Sequence, residues 1–102
     1  MLSKRVQNMI PKIQQYLATQ PINKAWLFGS CSRGEENVDS DIDILVQYKK
    51  DEQITLFTIS RIMCALKKQL NCSVDLVEDE ELLPFAVDSV NRDKILIYER
   101  AN

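Results

Sequence analysis

The side chains best suited to chemistry are Asp41 and Asp43, two residues apart in Ser40-Asp41-Ile42-Asp43-Ile44-Leu45-Val46. On an extended strand this spacing puts both carboxylates on one face and turns Ile42 and Ile44 to the other. Two acids held side by side repel. They settle in water, by one taking a proton, or around a divalent cation. An all-oxygen donor set suits a hard ion such as Mg2+. Asp75 sits between Val74 and Leu76, so it also points away from its apolar neighbours. If its strand lies beside the first, three acids share one face and can hold two metal ions, an arrangement that serves in-line displacement at phosphorus.

A second feature precedes the acids: Phe28-Gly29-Ser30-Cys31-Ser32-Arg33-Gly34. The chain has two glycines, Gly29 and Gly34, both in this loop. An average chain of this length carries about seven, so the loop has a backbone need the rest of the fold lacks. At Gly29 a phosphate can approach the backbone without meeting a Cβ. Ser30 offers a hydroxyl, and the amides of a following short helix point the same way, as in helix N-termini that bind phosphate. Arg33, one turn on, adds charge to that site or braces a carboxylate. A phosphate cradle joined by a short connection to a cation-binding acid cluster makes the two halves of a nucleotide site.

The surrounding pattern supplies elements to position these residues. Val6, Ile10, Ile13 and Leu17 have helical spacing, with Ser3 as a candidate cap and Pro11 as a kink or a starting point. Residues 22–28 and 41–48 read as strands, as do 73–77 and 95–98. The clearest helix covers 54–70, with Ile54, Phe57, Ile62, Leu66 and Leu70 on one stripe, Ile59 and Met63 beside them, and Asn71 at its end. The loop after Gly29 reads as a turn or a short helix capped by Ser30, and 82–92 as a short helix with Pro84 near its start. This order predicts an α/β fold of the α+β type: a small mixed β-sheet with helices packed on one face.

The 102 residues form a single expected domain, 1–102, with 45% hydrophobic and 27% charged residues. Histidine is absent, which excludes Ser-His-Asp and Cys-His nucleophile systems and histidine-ligated zinc. Thirteen basic and fifteen acidic residues give a net charge of -2, which argues against strong nucleic-acid binding. The three cysteines have no metal-ligand spacing, and an odd number does not suit a disulfide framework. With no signal peptide evident at the start and no apolar run long enough to span a membrane, a cytoplasmic protein is expected.

Each feature also has a plainer reading. Gly-Ser after a strand is ordinarily a turn, and Asp-x-Asp at a strand start a solvated edge. The acidic run Glu78-Asp79-Glu80-Glu81 reads as a solvated helix start. Trp26, Phe28, Tyr48 and Phe57 read as core, and the cysteines as small buried hydrophobes, with Cys31 in the loop as a candidate reactive thiol. The combination of features argues for function.

Gly29-Ser30, Arg33-Gly34 and Ser40-Asp41-x-Asp43, with Asp75 on a later strand, resemble the nucleotidyltransferases of the DNA polymerase β superfamily. Their fingerprint is Gly-Ser-x-Ala-Arg-Gly followed by Ser-Asp-x-Asp-hydrophobic; here Ser32 stands where Ala is common. The order of elements also resembles the minimal nucleotidyltransferase core fold. Minimal members are often paired as antitoxins with HEPN-domain toxins. The resemblance implies transfer of AMP from ATP to a tyrosine of such a partner, with two Mg2+ ions. It implies catalytic and metal-binding roles for Asp41, Asp43 and Asp75, and a nucleotide-binding role for Gly29, Ser30 and Arg33. The acceptor would be met across an exposed face, and apolar residues near the C-terminus could serve a partner or a homo-oligomer. Two other readings stay open: an antitoxin or nucleotide-binding module that acts by contact alone, and a two-metal nuclease or phosphatase using the same acids.

Overall fold

The computed structural model describes residues 2–34, 41–79 and 90–101. Helix α1 spans Lys4–Leu17 and strand β1 Ile22–Phe28; a single helical turn, α2, spans Ser30–Arg33. Strand β2 covers Ile42–Tyr48, α3 Leu56–Leu70, β3 Val74–Glu78 and β4 Ile95–Glu99. Residues 90–93 are also helical. The expected helix at 82–92 therefore extends to Asp93 at its described end, while 80–89, with Pro84, lie outside the described residues.

Local chemistry explains the boundaries. Ser3 caps α1 by accepting the Val6 amide at 3.2 Å, and the helix runs on through Pro11. Thr55 and Thr58 form a reciprocal capping box at the start of α3. Asn71 ends α3 in the left-handed region at φ 54°, a conformation Asn tolerates better than most residues. Beyond α1 the connection to β1 is held by Arg100, whose guanidinium donates to Gln20 O in the turn at 2.6 Å and to Ile22 O at the start of β1 at 3.0 Å, and reaches Leu17 O and Ala18 O at the helix end at 3.4 Å.

The four strands are ordered β3-β2-β1-β4. β1 pairs antiparallel with β2 and β4, whereas β2 and β3 run parallel and are joined through α3. Alternation sorts the faces. Ile42, Ile44, Val46 and Tyr48 of β2 enter one core with Val6, Ile13 and Leu17 of α1 and Ile62, Leu66 and Leu70 of α3. Asp43, Leu45 and Gln47 point to the other face. This is the expected mixed sheet with its helices on one side.

The aromatic residues depart from expectation. Phe57 is 87% exposed. It lies five residues before Ile62, which is about 140° round the helix, so it cannot share the Ile62-Leu66-Leu70 stripe. Trp26 and Phe28 face away from the helices and are half-buried, and only Tyr48 of the four is buried. Cys64, two residues past Ile62, falls on the outer side of α3 and is exposed; Cys72 is intermediate and Cys31 buried. Of the expected helix start at 78–81, Glu78 instead closes β3 as a strand residue, whereas Asp79 is half-buried and already helical, in a 3-10 turn; residues 80 and 81 are not described.

Candidate active site

Parallel pairing of β2 and β3 decides whether the acids meet. Its register sets Ile42 opposite Val74 and Asp43 opposite Asp75. Ile42 and Val74 are in the core, so Asp43 and Asp75 share the opposite face as direct cross-strand neighbours. The Ile42 amide donates to Ser73 O at 2.9 Å and locks this end of the pairing. Asp41 precedes β2 rather than opening it, and is exposed. Asp43 is half-buried and its carboxyl is pushed above the ordinary range, first by burial, then by the charges of Asp75 and of Asp41. All three causes act in one direction. Asp41 also helps burial raise the Cys72 thiol, against a lowering effect from Arg5.

The glycine loop closes on the same spot. Phe28, the last residue of β1, pairs with Asp43, so Gly29 follows directly beside that acid. Gly29 has φ +72°, and a Cβ built there would lie 2.5 Å from Asp43 Oδ2. Both conformation and space call for glycine. Gly34, at φ 73°, ends the turn of α2. Between them, Ser32 donates through its amide to Gly29 O at 3.1 Å and through its hydroxyl at 2.8 Å. Cys31 donates its thiol to Phe28 O at 3.1 Å and is fully buried. The structure therefore makes Cys31 a wedge beneath α2, not an accessible loop thiol. Ser30 is the first residue of α2 instead of its cap, and its side chain lies outside the described residues.

Arg33 ends α2 and pairs with Asp93, Nη1 to Oδ2 at 2.9 Å. Of the two options open from sequence, bracing a carboxylate is the one this contact shows. Asp93 lies 60 residues away along the chain, and no spacing or motif pointed to it.

Among the described residues no group of three or more His, Cys, Asp or Glu converges into a ready cation cage. The cross-strand pair Asp43 and Asp75, with Asp41 close enough to act on Asp43 by its charge, nonetheless has the chemistry to suit a hard divalent ion. Mg2+ is ordinarily held by one or two carboxylates, with water and substrate phosphates completing its shell. Two crowded carboxylates, one of them half-buried and electrostatically disfavoured, could supply such donors. Cavities of about 200 and 430 Å3 open around Tyr48 and Ile54 and around Gln20 and Arg61, toward the opposite end of β2. No helix among the described residues is long and apolar enough to cross a membrane.

Comparison with known proteins agrees with this geometry. Residues 11–102 match the family profile described as "Polymerase beta, Nucleotidyltransferase". A candidate protein adenylyltransferase of Methanocaldococcus jannaschii is 32% identical over 72 residues, covering 70% of this chain and 72% of the relative. The solved structure of a candidate minimal nucleotidyltransferase superposes with a TM-score of 0.77 at 29% identity, over 93% of this chain and 95% of the other. The fold is also similar to a chain from the complex of a tri-AMPylated Shewanella oneidensis HEPN toxin with its MNT antitoxin, with a TM-score of 0.69 at 22% identity over 92% of this chain and 72% of that one. With the fingerprint, the sheet order and nearly the full length in agreement, the chain belongs to the polymerase β nucleotidyltransferase family.

Proposed function

We propose that this protein transfers AMP from ATP to a hydroxyl of a partner macromolecule, a tyrosine of a HEPN-type toxin, with Mg2+ and release of pyrophosphate. The observation that carries the reading is the convergence of Gly29 on Asp43, with Asp75 as the cross-strand neighbour of that acid. A triphosphate gripped at the loop thereby lies against the carboxylates. A nuclease or phosphatase needs the acids but not the cradle. The AMPylated toxin in the Shewanella complex supports the choice of acceptor, and the Methanocaldococcus relative supports protein as its class.

In this reading Gly29 and Ser30 receive the β- and γ-phosphates, with the absent Cβ of Gly29 giving access to the backbone. Asp41 and Asp43 hold two Mg2+ ions, and Asp75 completes the second position. Bound there, the ions neutralise the triphosphate and acidify the attacking hydroxyl. Asp75 helps to take the proton from that hydroxyl. The hydroxyl oxygen forms its bond to the α-phosphorus as the bond to the pyrophosphate oxygen breaks in line. Holding both reactants on a fixed sheet face supplies most of the acceleration.

The test incubates the purified protein and a HEPN partner with Mg2+ and ATP labelled at the α- or the γ-phosphate, with Asp43→Asn alongside. Label from the α-position on the partner, absent with the variant, is the expected result. Label from the γ-position refutes AMP transfer. Neutralisation of the partner with neither label moves the function to contact alone.

A further inference from the structure

The phosphate loop rests on a turn too short to hold itself. α2 has four residues, and one helical turn fixes several dihedral angles for very few hydrogen bonds. Its inner side is anchored by buried Cys31 and by Ser32, 5% exposed and bonded twice to Gly29 O. Its outer end is Arg33, exposed, and beyond it Gly34 turns the chain. Among the described residues, the Asp93 carboxylate reaches that outer end from a distant part of the chain.

Asp93 is itself firmly rooted. It closes the helical residues 90–93, where Val90 is buried and the Lys94 amide donates to Val90 O at 2.8 Å. The Lys94 ammonium lies 4.7 Å from the centre of the Trp26 ring on β1. Immediately after it, Ile95 and Leu96 pair with Leu27 and Trp26. The carboxylate thus stands on the sheet's own frame, at the entry to β4. The two paired side chains are 45% and 31% exposed, and ion pairs so open to solvent add little to global stability. Their geometric effect is larger, because they tie the outer end of a one-turn element to the entry of a strand.

We propose that Asp93 is a positioning residue for the phosphate loop: through Arg33 it holds α2 down against the ends of β1 and β2, and so sets where the backbone of Gly29 and Ser30 meets the triphosphate. The inference rests on the nucleotidyl-transfer reading for its consequence, but the strut can be tested without turnover.

The experiment compares wild type with Asp93→Ala, Asp93→Glu and the exchanged pair Arg33→Asp/Asp93→Arg. The first readout is the iodoacetamide labelling rate of Cys31, buried under α2, relative to exposed Cys64, followed by mass spectrometry. The second is the nucleotide KM and kcat, or the nucleotide Kd where turnover is absent. Asp93→Ala is expected to speed Cys31 labelling at least about fivefold, with the Cys64 rate and Tm unchanged. It should raise KM or Kd by about tenfold with kcat within about twofold. Asp93→Glu should recover most of both effects, and the exchanged pair should recover the labelling rate alone. Unchanged Cys31 labelling in Asp93→Ala overturns the strut. Faster labelling with unchanged nucleotide affinity overturns its role in setting the loop. A fall in Tm with equal acceleration at Cys31 and Cys64 reduces Asp93 to general stability. Should wild type bind no nucleotide, the transfer reading fails separately and Cys31 labelling alone decides the strut.

Discussion

Replacing Asp43 by Asn should make the protein more stable while abolishing nucleotidyl transfer. Asp43 faces Asp75 across the parallel β2-β3 pair and is half-buried. Neighbouring strands lie about 4.8 Å apart, so two ionised carboxylates there repel by about 0.9 kcal/mol at the dielectric of water and by about 3.5 kcal/mol at an effective value near 20. Asp75 is exposed, so screening holds the effect near the lower bound, about 1 kcal/mol. In a domain of this size that corresponds to a rise in Tm of about 4–8 °C.

The pH dependence has a definite sign. Burial, Asp75 and Asp41 raise the Asp43 carboxyl above its unfolded value. Between the two values the folded chain binds more protons than the unfolded one, so stability falls as pH rises through that window. Below the ordinary aspartate range wild type and Asp43→Asn should melt together; at neutral pH the full gap is present. Adding Mg2+ should raise the wild-type Tm and leave the variant nearly unmoved, because binding to the folded state alone is stabilising. Calorimetry of both proteins across pH, with and without Mg2+, is the assay. A variant less stable than wild type at neutral pH would refute the claim that these acids are held against each other.

Gly29→Ala should cost about 2 kcal/mol, because it adds left-handed strain to a close approach to Asp43; denaturant melts measure this, and transfer should be lost with it. Arg100→Ala should destabilise by about 2 kcal/mol by releasing the bonds to Gln20 O and Ile22 O, with faster amide exchange confined first to the turn between α1 and β1. Phe57→Ser should change stability by no more than about 0.5 kcal/mol, since the ring is 87% exposed; a larger loss in a urea melt would show that the ring packs.

Much of this architecture was legible because alternation and period are local properties. Ile42, Ile44 and Val46 mark the core face of β2, and the same alternation puts Asp43 on the other. Ser3 and Asn71 mark helix ends through side-chain chemistry that acts within a few residues. Phe57 misled because it is apolar and near the helix start, yet its angle round α3 excludes it from the stripe. Cys31 is the small buried hydrophobe expected of it, its thiol turned inward from α2, whereas Cys64 misled for the same reason as Phe57: its angle round α3 leaves it exposed. Asp93 was invisible because its role depends on β4 pairing beside β1, a contact with no trace in the spacing of residues.

The site therefore divides into parts with different physical origins. The helix-facing side of the sheet is apolar, buried and self-consistent, so it stabilises the frame. The opposite side concentrates what the frame disfavours: two facing acids, a glycine in a left-handed conformation and a one-turn helix. Sites of binding or catalysis are where such local costs collect, sustained by the surrounding structure. In the proposed nucleotide complex each cost would have a counterpart: cations would relieve the acid repulsion, the glycine that admits the Asp43 carboxylate would bring its backbone to the phosphates, and the short turn would present its amides. The same reasoning separates a working transferase from a contact antitoxin. In a chain that acts by contact alone nothing would maintain the opposition of Asp43 and Asp75, and its removal would gain stability at no functional loss.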